Sequence, residues 1–313
     1  MVDPARGQCE WRIAPDNRAA ARALAAELDV APAVARVLLL RGASTVDAAR
    51  RFLNPDAAQL SDPFALTDMR RAVDRIAAAR ANGETVLVFG DYDVDGISGA
   101  ALLVRGLRRY GIAHCVYGMP NRLEEGYGLS PDRVDWARGL GASLIVTVDN
   151  GIAAHDAVAR ARELGIDVIV TDHHLIERGV PDAFATINPK REPADHPAAD
   201  LCGSGVALKL VQALTGELHD LDLAALGTVA DVVPLTGENR DIVALGLRQA
   251  AAAPRTGLRE LAAVARVAIG ELRSDGIAFQ LAPRINAGGR MGDGLTGLEL
   301  LLTESAEEAR AMA

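Results

Sequence analysis

The sequence is short of cysteine, of aromatic residues and of positive charge, and each shortage excludes something. Three cysteines stand far apart at Cys9, Cys115 and Cys202, with no CxxC pair. An odd, scattered set of this kind makes neither a disulfide framework nor a zinc site, and reads as buried or half-buried thiols. Aromatic residues make up 4% of a chain that is 50% hydrophobic, so its core is built mostly of Ala, Val, Leu and Ile. No apolar run is long and uncharged enough to span a bilayer. The opening stretch MVDPARGQCEWRIAPDNR is polar and lacks the apolar segment of a signal peptide, so no membrane partner and a cytoplasmic location are expected. The formal charge is −9 over 313 residues. A protein that coats nucleic acid through a broad surface is usually basic. An enzyme that holds one strand in a narrow cleft, with a few arginines and metal ions, is compatible with the acidic balance. There is no GxSxG elbow, and neither a GxxxxGK[ST] phosphate loop nor a GxGxxG fingerprint.

What is present falls into three stretches. Residues 1–82 are rich in Ala and Arg and read as a helical N-terminal segment, with helical spacing over 19–28, 33–40 and 67–81. Asn54-Pro55 and Asp62-Pro63 punctuate it. From about residue 83 the pattern changes to short β-branched runs at 85–90, 114–117, 143–148 and 167–171. Helical patterns lie between them, at 97–110, 131–140 and 154–164. Strands that are apolar on both faces and alternate with helices predict an α/β fold, with a doubly wound, mainly parallel sheet flanked by helices. Gly111, Gly141 and Gly165 fall where helix C-caps are expected. A polar, Pro-containing loop at 190–200 leads to a helical subregion at about 203–270 and a Gly-rich segment at 281–294. The catalytic domain is expected over 83–300. Residues 301–313 read as the start of a helix with no Gly or Pro stop signal, which is expected to continue into something absent here.

Acids and imidazoles gather at the ends of the predicted strands. The first strand ends in Asp91-Tyr92-Asp93-Val94-Asp95, the third in Asp149-Asn150-Gly151 and the fourth in Asp172-His173-His174. Ligands of an open parallel sheet bind beyond the carboxyl ends of its strands, so these segments converge on one crevice. Asp231, in the otherwise apolar GTVADVVPL, is placed to join them. Taken singly, each acid is as well explained by a helix cap or a turn. Four acid-bearing segments at one end of one sheet are not. Carboxylates that close repel each other unless cations neutralise them. Aspartates with histidines suit Mg²⁺ or Mn²⁺, the imidazoles favouring Mn²⁺. Six or seven ligands exceed the needs of one ion, and two ions about 4 Å apart suit phosphoryl chemistry. His114, His155, His196 and His219 have no such setting and read as ordinary residues.

The order FGDYDVDGIS, TVDNGI, TDHH, GTVADVVPL resembles the DHH phosphoesterase superfamily. RLEEGYGL (122–129), CGSGVALKL (202–210) and LAPRINAGGRMGD (281–293) look like its RecJ family. The resemblance implies a hydrolase that degrades single-stranded DNA from the 5′ end to mononucleotides in DNA repair and recombination. It implies two divalent cations, Mn or Mg, held by Asp91, Asp93, Asp95, Asp149, His173, His174 and Asp231, with Asp172 orienting an imidazole. It implies Arg122, Arg284, Asn286 and Arg290 facing the substrate phosphates. Its partners would be single-stranded DNA and, by family alone, a single-strand-binding protein and a helicase. Two other readings remain at this point. One is a DHH phosphodiesterase acting on short oligoribonucleotides, cyclic dinucleotides or pyrophosphate. The other is a noncatalytic replication scaffold of the same fold.

Overall fold

A computed structural model describes residues 17–121, 126–290 and 294–313, with only the backbone described at 289 and 290. Two compact units are present, Met1–Pro55 and Asp56–Ala313. The described part of the first unit has three helices, α1 (Arg18–Leu28), α2 (Pro32–Leu40) and α3 (Val46–Leu53). They close over a small core of Ala21, Leu24, Ala25, Ala35, Leu38, Ala43 and Ala49. Thr45 caps α3 by accepting from the Ala48 amide. Residues 56–82, which composition groups with the N-terminal segment, lie in the second unit. There α4 (Met69–Asn82) buries Met69, Ala72, Ile76 and Ala79 on one face.

The second unit is organised by five strands: β1 (Thr85–Gly90), β2 (His114–Gly118), β3 (Ala142–Val148), β4 (Asp167–Thr171) and β5 (Ala185–Ile187). All pairings are parallel and the order is β2-β1-β3-β4-β5. The period-two rule divides each strand between two cores. Val86, Val88, Leu144, Val146, Val148 and Ile169 face one layer, with α4 and α5 (Val94–Tyr110). Leu87, Phe89, Ile145, Val168 and Val170 face the other, with α6 (Pro131–Gly139) and α7 (His155–Glu163). Being apolar on both sides, the strands can only sit between two helical layers. Gly111 ends α5 in the left-handed region, at φ 103°. The doubly wound α/β expectation is met, and β5 is an addition to it: ATI is too short to register as a strand in the sequence.

The chain leaves β1 towards β2 on one side, then returns past β1 to build β3, β4 and β5 on the other. That reversal splays the connections apart between the carboxyl ends of β1 and β3 and opens a crevice there. Helices α8 (Gly203–Thr215), α9 (Leu221–Ala230), α10 (Gly237–Ala252) and α11 (Thr256–Ala265) complete the layer over α5. The described residues of the Gly-rich segment at 281–294 are helical. A turn α12 (Ser274–Gly276) and a π-turn (Ile277–Leu281) lead into α13 (Ala282–Arg290). Then α14 (Gly294–Leu302) and α15 (Ala306–Met312) follow, the last capped by Ser305 on the Glu308 amide and packed on α11.

Candidate metal centre

The crevice receives side chains from four segments. Asp91 leaves the end of β1, and Asp93 caps α5 by accepting from the Asp95 and Gly96 amides at 2.9 and 3.1 Å. Asp149 follows β3 with a φ of 62°, a conformation that Asp tolerates better than most residues. Three polar links fix it there. Its amide donates to the Thr171 carbonyl at 3.0 Å. Asn150 Nδ2 donates to the Phe89 and Val148 carbonyls at 3.1 and 2.9 Å, tying β3 to β1. Thr171 Oγ1 donates to the Thr147 carbonyl at 2.6 Å, tying β4 to β3. The strand ends are thus locked to one another before any ligand is considered.

Asp172, after β4, is an internal organiser. Its Oδ2 accepts from the Ile152 amide at 2.9 Å, and its Oδ1 accepts from the His173 and His174 amides at 2.7 and 3.1 Å. Oδ1 also lies 2.8 Å from His174 Nδ1. Burial works against ionisation of this carboxyl, but the hydrogen bonds from His174, Ile152 and the His174 amide hold it below the usual range. Asp172 in turn raises the His174 pKa. With Asp172 as its anionic partner, Nδ1 carries the proton and Nε2 is left with its lone pair, the arrangement of an oriented metal-ligating imidazole.

The remaining acids behave in the opposite way. Burial, then Asp93, pushes Asp91 up to about 7. Burial, then Asp95 and Asp93, pushes Asp231 up to about 7. Asp93 is raised by burial and by Asp95. Asp149 is raised well above the ordinary range, by burial and then by Asp95 and Asp93. Burial depresses His173, whose Nε2 stands 3.0 Å from Asp149 Oδ1 and 3.8 Å from both Asp95 Oδ2 and Asp231 Oδ2. No lysine or arginine of the chain forms an ion pair with any of these acids among the described residues.

Three overlapping groups bring ligand atoms within 4.8 Å of one another: Asp149-His173-His174, Asp95-His173-Asp231 and Asp91-Asp93-Asp149. Asp91 Oδ1 and Asp149 Oδ1 are buried with no hydrogen-bond partner. Buried carboxyl oxygens without partners, beside imidazoles and with no lysine or arginine paired to them, are the donor set of a hard or borderline divalent cation. The residues therefore fit such an ion, and the overlap at Asp149 and His173 fits more than one. His114, His155, His196 and His219 belong to none of these groups.

Asp95 has a second task. Both its oxygens accept amides from the first turn of α8, Gly203 at 2.6 Å and Ser204 at 2.9 Å, so it joins the starts of α5 and α8. The approach is close enough to require glycine. A Cβ on Gly203 would stand 2.5 Å from Asp149 Cβ, and one on Gly227 of α9 would collide with Ser204 Oγ and Asp95 Oδ1. Sequence reasoning assigned Asp95 to the metal and missed this clamp; the GSG start of α8 was its only signal. It also missed Tyr127, whose hydroxyl donates to the Asp149 carbonyl at 2.6 Å and lies 3.2 Å from His174 Nδ1. The ring packs edge-on to Tyr92 and His174. The glycines on either side of Tyr127, at φ 82° and 75°, were the available hint.

The expected phosphate-facing residues are less fully placed. Arg284 is exposed on α13 and donates to the Gln280 carbonyl at 2.7 Å, and Asn286 is half-buried. Arg122, like Cys9, lies outside the described residues, as does the side chain of Arg290. The start of α14 lies beside Tyr92: a Cβ on Gly294 would meet Tyr92 and Met119 at 3.8 Å.

The family description "DHH family, N-terminal domain" matches residues 85–233. The single-stranded-DNA-specific exonuclease RecJ of Bacillus subtilis (strain 168) is 41% identical over 305 residues, 97% of this chain and 39% of that protein. RecJ of Escherichia coli (strain K12) is 43% identical over 266 residues, 79% of this chain and 46% of that protein. The chain thus spans less than half the length of these relatives. Among solved structures, RecJ from Thermus thermophilus in complex with Mn²⁺ superposes with a TM-score of 0.81 at 35% identity, covering 94% of this chain and 42% of that one. An exonuclease RecJ bound to manganese superposes with a TM-score of 0.74 at 38% identity, covering 82% and 65%. With its acids and imidazoles gathered at the switch point of a doubly wound sheet, all of them inside the matched residues, the chain belongs to the DHH family.

Proposed function

We propose that this chain hydrolyses phosphodiester bonds of single-stranded DNA with the help of two divalent cations, Mn²⁺ or Mg²⁺, working from the 5′ end and releasing mononucleotides. The observation that carries the reading is the convergence of acids and imidazoles in three overlapping ligand groups, Asp91, Asp95 and Asp149 buried among them, with no lysine or arginine paired to them among the described residues. The RecJ proteins of B. subtilis and E. coli, named for single-stranded-DNA-specific exonuclease activity, support the substrate. The manganese-bound RecJ structures support the cation. The cytoplasm, DNA repair and recombination, and work beside a single-strand-binding protein and a helicase belong to the same reading.

Asp91, Asp93, Asp149, His173, His174 and Asp231 would hold the cations, and Asp95 would add to the set while anchoring α8. When bound, the cations would supply Lewis-acid charge to the phosphate and acidify an attacking water. The protein's own part is positional. Asp172 fixes the His174 tautomer. Tyr127 and the Thr171 carbonyl fix the backbone of Asp149 from two sides. Because the neutral forms of Asp91, Asp149 and Asp231 are favoured by burial, the pocket exchanges protons for cations, and the exchange leaves charge in a water-poor site where it acts strongly. Arg284 is a candidate for the strand's phosphates.

The test is hydrolysis of a single-stranded oligodeoxynucleotide labelled at either end, with Mn²⁺, Mg²⁺ or chelator. Mononucleotide release from the 5′ label, dependent on the metal and absent for duplex DNA, is the expected result. Preferential cleavage of diribonucleotides or cyclic dinucleotides would replace the substrate. Absence of both cation binding and turnover would remove the reading.

A further inference from the structure

The helical stretch that leads into α13 exposes an aromatic ring that the described chain does not bury. In its π-turn the Ala282 amide donates to the Ile277 carbonyl, five residues back. Such a turn inserts one residue into a helix, has poorer hydrogen-bond geometry than the α form, and occurs frequently at functional sites. Ile277 and Leu281 are buried and line a small cavity with Ala225, Leu226 and Leu258, while Phe279 between them is 80% exposed. Among the described residues the other exposed aromatics, Tyr127 and Trp136, are 50% and 37% exposed. Leaving a phenyl ring in water forgoes the stabilisation that its burial would give.

The ring has suitable company. Phe279, Gln280, Pro283, Arg284 and Ala287 form one exposed stripe along the π-turn and α13. Arg284 bends back along it, donating to the Gln280 carbonyl at 2.7 Å, and has no carboxylate partner among the described residues. The helix packs beside the start of α5, the helix that carries Asp95. Ile285 and Ile97 both lie 3.2 Å from the Cβ position of Gly297, and Ile97 stands two residues after Asp95. Phe279 precedes Ile285 by only about 9 Å of helix.

We propose that Phe279 is a stacking platform for a base of the single strand whose backbone enters the metal centre, with Arg284 taking a neighbouring phosphate; the proposal rests on the reading of that centre as a nucleic-acid phosphodiesterase. Every base has a π-face, so an exposed ring grips a strand without reading its sequence. Stacking also draws nothing from long-range attraction, which a chain of net charge −9 supplies poorly to a polyanion. A guanidinium one turn away adds a local phosphate contact in place of a broad basic surface.

The experiment uses the whole chain in chelator, where no strand is degraded, and oligodeoxynucleotides carrying 2-aminopurine at successive positions. Wild type and Phe279→Trp are expected to quench the probe at one position. Phe279→Ala should lose that quenching and bind the strand weaker by on the order of 10- to 100-fold. Arg284→Ala should weaken binding and keep the quenching. Hydrolysis of bis(p-nitrophenyl) phosphate with Mn²⁺, a phosphodiester without a base, should be equal in wild type and Phe279→Ala. Quenching unchanged by Phe279→Ala overturns the platform. So does a strand bound without quenching at any position, a strand not bound at all, or a dimer that Phe279→Ala dissociates. A wild-type chain that splits no phosphodiester removes the reading of the metal centre instead, and the quenching result stands or falls separately.

Discussion

Two clusters of buried acids lie at the starts or ends of helices in the second unit, and they are built on opposite plans. At the start of α9, Asp220 and Asp222 meet the guanidinium groups of Arg105, Arg109 and Arg255, with Arg255 Nη2 at 2.5 Å from Asp222 and 3.2 Å from Asp220. Burial resists ionisation of Asp220, but Arg105 and Arg255 hold its carboxyl below the usual range. At the other end of α9, Asp231 joins Asp91, Asp93 and Asp149, which share no such cation and are all raised. The residue type is the same, and Asp91 and Asp149 are as deeply buried as Asp220 and Asp222. What differs is where the compensating charge comes from: the chain itself in the first cluster, the solution in the second. An acid satisfied from within holds helices together, and an acid left unsatisfied is a place for something to bind.

Substitutions should separate the two plans, and the largest effect belongs to the unsatisfied cluster. Asp149→Ala or His173→Ala should lower cation-dependent hydrolysis by on the order of 10⁴-fold, the rate equivalent of several kcal/mol of transition-state charge stabilisation. Thermal unfolding of Asp149→Asn, which keeps a residue suited to the left-handed backbone, should stay level or improve when followed by circular dichroism without metal, because a buried acid disfavoured by its acidic neighbours has gone. A cooperative loss of fold in both variants would place this cluster in the structural class.

Arg255→Ala should do the reverse. It leaves Asp220 and Asp222 buried with less counter-charge, and breaking a buried pair costs about 3–5 kcal/mol. Urea unfolding should show that loss while Mn²⁺ affinity, where the variant is folded, stays as in wild type. A variant that keeps its stability and loses the metal would erase the distinction between the clusters.

Cation and pH should act together on the acidic crevice. Mn²⁺ at 100 times its Kd should raise stability by about 2.7 kcal/mol, and Asp149→Ala should remove much of the rise. Asp91 and Asp231 have folded values near 7 without metal, above the ordinary carboxyl value of about 4. The folded chain thus binds more protons than the unfolded chain between those limits. The metal-free protein has the full benefit below pH about 4 and loses it as pH rises through about 7. Cation affinity runs the other way, weakening as pH falls below about 7 because protons must be displaced. Titration calorimetry in two buffers of different ionisation enthalpy should register proton release at neutral pH. An equal heat in both would mean that the acids are already ionised.

The smallest effect is expected beside Asp231. Val232 holds φ at 60° and is 85% exposed, a backbone conformation that costs a β-branched residue about 1–2 kcal/mol. Val232→Gly relieves that strain and adds some freedom to the unfolded chain, so a net gain of about 0.5–1 kcal/mol should appear in the melting curve. Destabilisation would mean that the valine side chain is held by contacts that its exposure conceals.

Much of this was legible in the sequence because two rules act locally and strongly. Strands such as TVLVFG and SLIVTV are apolar throughout and can only be sandwiched, which gives the layered sheet. The switch point then gathers whatever follows their last residues, which brings Asp91, Asp149 and His173 together. What escaped notice depends on approach in three dimensions. Nothing in the spacing of Gly203 and Asp95 says that an amide of one will meet the carboxylate of the other. Tyr127 sits in a polar loop far in sequence from the Asp149 carbonyl it binds. The strand ATI is too short to carry a period, and α4 looks like its helical neighbours until its buried face is seen in the second unit. The Gly-rich PRINAGGR gave no assignment by composition; in the structure it is helical, packed on α14 and α5 despite the cost of its glycines.

The clamp formed by Asp95 on the first amides of α8 bears on how the molecule is made. The acids of β1 leave the ribosome first, while Gly203 and Asp231 emerge more than a hundred residues later. Until α8 docks, Asp95 has no amides to accept, and until α9 follows, the crevice lacks a wall. In a nascent chain Asp95 therefore stays unclamped, and the pocket is completed only when α8 and α9 have closed the helical layer.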